Sequence, residues 1–306
     1  MRFSASLALT GLIITTLIWG FEFVLIHNAI EVIEANTFNA LRFFVGAAVV
    51  MVFQKVRTGR WISTFNSALF KSASVLGILL YIGFFSQTEG MHYTTVTNAG
   101  FITGMNVVLV PVLGTLFFKD RINPLVWVGV GVATAGLMLM TGVFTLSLNK
   151  GDFMVFICAV AFAFHINLTG KVSGDHNITD LAIIQMLVVA VASAVTALFF
   201  EDWTLGLNVD VLAQPEIYGA ILVAGALGTG FALIVQTWAQ LEISPSRVGL
   251  VYSIEPVAAA VFGWLMLGET MGLMGLFGAL LILSGMIISE IPHDSWILRW
   301  VKPRVH

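Results

Sequence analysis

Charge is the scarcest property of this chain: Lys, Arg, Asp and Glu together make up 10% of 306 residues, against about 25% in ordinary water-soluble domains. With 58% hydrophobic residues and a mean hydropathy of +0.96, it has more apolar surface than one water-soluble core can hide. A soluble globular domain is thereby excluded, and an integral membrane protein is indicated. Cysteine is limited to Cys158, inside an apolar run. That rules out a disulfide framework and reads as a small buried side chain. Also missing are His-Glu-x-x-His, Gly-x-Ser-x-Gly, Cys-x-x-Cys and the phosphate loop Gly-x-x-x-x-Gly-Lys-Ser/Thr, so neither a metal, a cofactor nor ATP drive within the chain is expected. No polybasic stretch suggests nucleic acid. Ser253 near Glu255 lacks a matched His, which leaves an intramembrane enzyme only as an alternative of another class. A channel is disfavoured because the mid-membrane region lacks rings of like polar groups.

What is present is a repeat. A shift of 149 residues lays Gln87-Thr88 on Gln236-Thr237, Gly100 on Gly249, Gly129 on Gly278, Gly136 on Gly285 and Asp120 on Glu269. A shift of 143 aligns the earlier segments, with Trp19-Gly20-Phe21 on Phe162-Ala163-Phe164 and Arg42 on Gln185. The six-residue difference fits an indel in the loop near residue 60. Repeats on this scale in so apolar a chain point to a transporter built from two related halves, here residues 1–145 and 146–290.

A spanning helix needs roughly 17 to 25 mostly apolar residues. Ten runs qualify: about 7–27, 36–54, 72–90, 95–118, 124–144, 152–172, 179–200, 215–240, 246–267 and 271–290. The first, which no Ala-x-Ala-like site follows, reads as a spanning helix and not as a removed signal peptide. Placing both termini on one side gathers Arg2, Lys55, Arg57, Arg60, Lys71, Lys119, Arg121, Lys171, Arg247, Arg299, Lys302 and Arg304 there, and basic loops mark the cytoplasmic side. Only Lys150 faces the other compartment, with Glu31, Glu34, Asp152, Glu201, Asp202, Asp210 and Glu216. Residues 291–306, with Trp296 and Trp300, read as a cytoplasmic interfacial tail. Five spans per half make the halves inverted relative to one another, as in many secondary carriers.

Trp19-Gly20, Ala40-Leu41-Arg42-Phe43, Gln87 to Thr94, Gly100-Phe101-Ile102-Thr103-Gly104, Pro111 and Gly268-Glu269-Thr270 resemble the drug/metabolite transporter superfamily in its EamA-like branch. The resemblance covers essentially the whole chain. It implies ten helices in two inverted five-helix repeats around a central cavity, with helices five and ten at the periphery. It also implies secondary transport of small organic metabolites, such as amino acids, related compounds or drugs, in the outward direction. Uptake of a vitamin, nucleoside or similar nutrient is the alternative. The family more often has small or neutral polar residues after Trp-Gly, where this chain has Phe21-Glu22-Phe23.

Ionisable groups within a span cost about 2.5–3.5 kcal/mol each on insertion scales, so they face the bundle interior and usually act. Glu22 and Arg42 sit at similar depth, as an ion pair, a clamp on a zwitterionic solute, or a static salt bridge. Their repeat images are His165 and Gln185. His titrates near cytoplasmic pH when unperturbed, so proton coupling stands beside a packing role. Asn106 and Glu255 are images of each other near mid-membrane. Pro256, like Pro111, removes a backbone donor and is expected to kink its helix, which lipid tolerates only beside protein or a cavity. Glu255 is the leading functional candidate, with a buried structural carboxyl as the alternative. Trp19, Tyr81, Phe84, Phe101, Phe162 and Tyr252 are candidate cavity-wall aromatics, or else packing residues. Glycines at 129, 131, 136, 272, 275, 278 and 285 mark close packing of spans five and ten, or a dimer face. The expected partners are a small-molecule solute, the lipid bilayer and, on one reading, protons, in a monomer or homodimer.

Overall fold

The computed structural model describes residues 5–94, 96–141, 149–267, 272–289 and 291. The tail beyond 291 and Gly268-Glu269-Thr270 lie outside the described residues. Among the described residues the secondary structure is helical throughout. This is the outcome demanded where no water satisfies backbone groups, because a helix closes its hydrogen bonds within one segment. Ten helical segments follow one another. They are α1 (Ala5–Ile30), α2 (Ala35–Thr58), α3 (Ser67–Gly90), α4 (halves Val96–Gly104 and Asn106–Phe118), α5 (Pro124–Thr141), α6 (Lys150–Val172), α7 (Ile178–Phe200), α8 (Pro215–Ala239), α9 (halves Pro245–Tyr252 and Glu255–Leu267) and α10 (Leu273–Ser289). Eight have the length and apolarity to cross a membrane, and α5 and α10 are shorter apolar helices.

Local sequence fixes the ends. Asn66 accepts from Leu69 N, Asn149 and Asp152 form a capping box, and Asn177 accepts from Thr179 N and Asp180 N, each satisfying helix-start donors. Gly59, at φ 76°, closes α2 with its N–H on the Lys55 carbonyl, a left-handed turn that glycine adopts without a Cβ penalty.

Two acids staple the scaffold pair α2 and α7 at opposite faces. Fully buried Asp180, in the first turn of α7, accepts from Gln54 Nε2 (2.7 Å), Ser63 N (2.9 Å), Thr64 N (2.8 Å) and Thr64 Oγ1 (3.0 Å). Glu201, just past α7, accepts from Asn36 N and Nδ2 and from Thr37 N and Oγ1 in the first turn of α2, at 2.7–2.9 Å. Thr37 is the repeat image of Asp180, so the same contact recurs with donor and acceptor exchanged.

Helices α5 and α10 pack chiefly on each other. A Cβ on Gly129 would meet the Gly285 carbonyl at 2.5 Å, and one on Gly136 the Gly278 carbonyl at 2.6 Å, so these four glycines serve contacts within the chain. Because Gly129 maps onto Gly278 and Gly136 onto Gly285, exchanging the halves returns the same contacts, as a two-fold axis requires.

Three segments depart from regular helix. α4 breaks at Met105 and α9 at Ser253-Ile254, and Met105 and Ile254 are repeat images. The α4 break falls before Asn106, and Pro111 lies inside the unbroken second half. The α9 break precedes Pro256. α8 carries a π-helical stretch, Ala224–Phe231. Its image, residues 75–82 of α3, is ordinary α-helix.

Candidate functional site: a polar cavity between the halves

The helix breaks and the π stretch converge on one narrow cavity of about 70 Å³, room for a few waters. Its lining draws on both halves: Trp19, Glu22, Phe23 and Ile26 from α1, Arg42 and Phe43 from α2, Leu80, Phe84, Gln87 and Thr88 from α3, with Met91 just beyond it, Thr103 and Asn106 from α4, Phe162, His165 and Ile166 from α6, Gly228, Thr229, Leu233 and Gln236 from α8, and Tyr252 and Glu255 from α9. On α1 and α3 these positions lie in the half away from Ala5, and on α6 and α8 in the half toward it, so the cavity straddles the middle of the bundle.

Glu22 and Arg42, each 2% exposed, meet with Arg42 Nη2 donating to Glu22 Oε2 at 3.4 Å. The guanidinium also donates twice to Thr229 Oγ1, both at 3.2 Å, and lies 4.9 Å from the Phe84 ring centroid and 5.5 Å from that of Phe43. Such stacking stabilises a desolvated cation. Glu22 Oε1 is buried with no partner.

The π stretch makes this arrangement possible. Gly228 leaves the Glu22 carboxyl room: a Cβ there would overlap it. Its carbonyl accepts from Trp19 Nε1 at 2.8 Å, and the next residue supplies the Thr229 hydroxyl. Gly225 and Gly46 let α8 approach α2 with a Cβ-to-carbonyl spacing of 2.7 Å either way. π turns concentrate at functional sites because they re-aim side chains within a helix.

The image pair is also in contact, with His165 Nε2 and Gln185 Oε1 at 2.9 Å. The Gln236 amide nitrogen lies 3.3 Å from His165 Nδ1. Since that amide nitrogen only donates, Nδ1 accepts and Nε2 carries the proton given to Gln185. The Tyr252 hydroxyl donates to Gln236 Oε1 at 3.0 Å, and Tyr252 meets Trp19 edge-on at 4.8 Å. A continuous polar chain thus runs from Gln185 through His165 and Gln236 to Tyr252.

Asn106 and Glu255 each open a half-helix, at the Met105 and Ile254 breaks. Asn106 Oδ1 is buried without a partner. The Glu255 carboxyl borders the cavity and forms no hydrogen bond or ion pair among the described residues.

Of the polar residues expected from sequence, Glu22, Arg42, Asn106, His165 and Glu255 line the cavity, and Gln185 supports it through His165. Trp19, Phe84, Phe162 and Tyr252 form its walls. Tyr81 and Phe101 lie elsewhere. The Tyr81 hydroxyl bonds Thr196 Oγ1 at 2.5 Å, and Phe101 packs on the apolar cluster around Phe23, Ile102 and Ile217. Sequence reading missed Gln87, Thr103, Thr229 and Gln236 as site residues. Gln87 and Gln236 are repeat images and were legible as such: an identical polar pair inside two apolar spans is itself a site signal.

The EamA-like transporter family model matches this chain twice, over residues 6–142 and 149–290. An uncharacterized transporter of Archaeoglobus fulgidus is 31% identical over 281 residues, covering 92% of this chain and 85% of that protein. The uncharacterized transporter YoaV of Bacillus subtilis is 24% identical, over 91% and 95% of the two chains. The uncharacterized inner membrane transporter YedA of Escherichia coli is 22% identical, over 89% and 87%. A solved crystal structure superposes with a TM-score of 0.78 at 16% identity, over 98% of this chain and 100% of that one, a likeness of fold. With two matches that span the chain and a polar cavity at their junction, the chain is a multi-pass membrane transporter and belongs to the EamA-like transporter family.

Proposed function

We propose that the chain is a secondary carrier. On this reading residues 1–145 and 146–290 act as inverted repeats, and their relative rocking exposes the central cavity to one side of the inner membrane and then the other. Both termini are cytoplasmic, and a small organic solute moves outward in exchange for protons or a second solute. The observation that carries the reading is the mid-membrane cavity lined by both halves, with four ionisable groups facing it, Glu22, Arg42, His165 and Glu255, where such groups are costly and usually functional. Glu255 has the geometry for coupling. It stands at a helix break, bonded to nothing among the described residues, where a proton and a cationic solute group compete for one carboxylate.

Counterflow in proteoliposomes tests this. Glu255→Gln, which mimics the protonated carboxyl, is expected to keep solute-for-solute exchange and to lose flux driven by a pH gradient. Full pH-driven flux in the variant assigns Glu255 a structural role. A reporter fused after Lys302 is expected in the cytoplasm and a label at Asn208 is expected to react from outside; a periplasmic C-terminus overturns the orientation.

A further inference from the structure

We propose that the cavity selects an organic amine cation that lacks a carboxylate, in preference to a zwitterionic amino acid or an anion. The inference rests on reading the cavity as the solute path.

Glu22 and Glu255 face the space against one guanidinium, Arg42, and His165 carries a single ring proton in its bonded arrangement. Arg42 is also taken: Glu22, Thr229 and the Phe84 ring hold it. A ligand carboxylate would have to compete with Glu22 for it while approaching the Glu255 carboxyl. Among the residues that line the cavity, the unanswered polar atoms point the same way. Glu22 Oε1 and Asn106 Oδ1 are buried acceptors without partners, and the Glu255 carboxyl is bonded to nothing among the described residues. A ligand that satisfies acceptors must donate, and an ammonium offers up to three N–H groups and no acceptor. Trp19 and Tyr252, in edge-on contact, add ring faces that attract a cation and accept an aromatic or aliphatic body. A space with two carboxyls to one guanidinium, unpaired acceptors and aromatic walls therefore favours a cation by hydrogen-bond polarity and, wherever a carboxyl is ionised, by charge as well.

Three probes of one ring and chain length separate the terms. 2-Phenylethylamine has the amine alone, L-phenylalanine has amine and carboxylate, and 3-phenylpropionate has the carboxylate alone. In calorimetric titration of the purified full chain, 2-phenylethylamine is expected to bind at least tenfold more tightly than either of the others. Glu255→Gln is expected to weaken that binding at least tenfold. Glu22→Gln is expected to do the same, but leaves Arg42 without its ion-pair partner, so Glu255→Gln, which breaks no bond, keeps the test decisive if the Glu22 variant does not fold. Equal or tighter binding of phenylalanine or phenylpropionate, no binding of any probe, or an unchanged affinity in Glu255→Gln overturns the proposal. The carrier reading is scored independently of any ligand. In a Cys158→Ala background, Met91→Cys and Ile166→Cys are labelled from each side of oriented vesicles. Reaction of the two from opposite faces supports a carrier. Reaction of both from one face only sinks the carrier reading and leaves the amine site as a binding site.

Discussion

A methyl group on Gly228 tests how the π stretch supports the ion pair. The Cβ of Gly228→Ala falls within the Glu22 carboxyl, so either that carboxyl leaves Arg42 or α8 backs away from α1. Stripping a buried cation of its partner costs about 3–5 kcal/mol, whereas overpacking relieved by a backbone shift costs about 1–3 kcal/mol. The cheaper route wins. The variant should therefore lose about 2 kcal/mol, or about 4 °C of apparent Tm at roughly 2 °C per kcal/mol for a chain of this size. It should also lengthen the Trp19 Nε1 bond to the Gly228 carbonyl. In a Glu22→Ala background the overlapping atoms are gone, and alanine's better helix propensity, worth up to about 1 kcal/mol, makes the same change neutral or stabilising. The assay is a thermal-unfolding cycle on wild type, both single variants and the double variant. Strong non-additivity is expected, with a coupling of about 2–3 kcal/mol. An equal drop from Gly228→Ala in both backgrounds refutes the argument, because the clash would then lie elsewhere.

Asp180→Asn places an amide where four donors converge. Loss of charge-assisted bonds at about 1.5–3 kcal/mol each should lower apparent Tm and expose the 60–66 loop to protease; an unchanged cleavage pattern counts against the staple. Gln236→Leu strands the Tyr252 hydroxyl and the Gln240 amide oxygen and takes the donor from His165 Nδ1. It should cost about 2–3 kcal/mol by thermal unfolding, whereas Gln236→Glu should recover the Tyr252 bond and part of the loss. Gly136→Val drives a branched side chain into the Gly278 carbonyl and should disrupt α5–α10 packing, read as a fall in apparent Tm of the purified chain; an unchanged Tm contradicts the tight crossing.

The skeleton was legible because lipid leaves one option, apolar helices of fixed length, and because the repeat supplies its own alignment. The pair Glu22–Arg42 was legible for a related reason: two charges buried in spans at matching depth have few alternatives to each other. Helix phase was harder. Spans apolar all round carry no stripe to say which face is inward, so Tyr81 and Phe101 read as well as Phe84 and Phe162. The π stretch was not legible, since Gly225, Gly228 and Gly230 look like a small-residue packing motif until the carboxyl they accommodate is in place. Pro111 drew attention away from the break at Met105, six residues earlier, which no proline marks.

On the proposed carrier mechanism, the departures from symmetry bear on how the two states balance. The seam nearer the start of α1 is tied by polar contacts: Asn167 Nδ2 to the Val110 carbonyl at 2.9 Å, Gln240 Nε2 to the Ile166 carbonyl at 2.6 Å, and the Lys171–Asp120 ion pair. The repeat images of the first two at the opposite seam are Val24 with Ala259 and Met91 with Phe23, which can offer no side-chain hydrogen bond, whereas those of the third, Asn28 and Glu269, are polar. Each neutral bond at the first seam contributes about 0.5–1.5 kcal/mol net, and its buried groups must be re-satisfied when the seam parts. Opening the opposite seam instead parts mainly apolar contacts, together with the bond from Thr94 Oγ1 to Asp152. A carrier with identical halves would hold its two exposed states at equal free energy. On the proposed carrier mechanism, the polar contacts at the first seam favour the state in which it stays shut. On that proposal the two exposed states are unequal before any solute binds, and a ligand that satisfies Glu22, Asn106 and Glu255 would offset the difference.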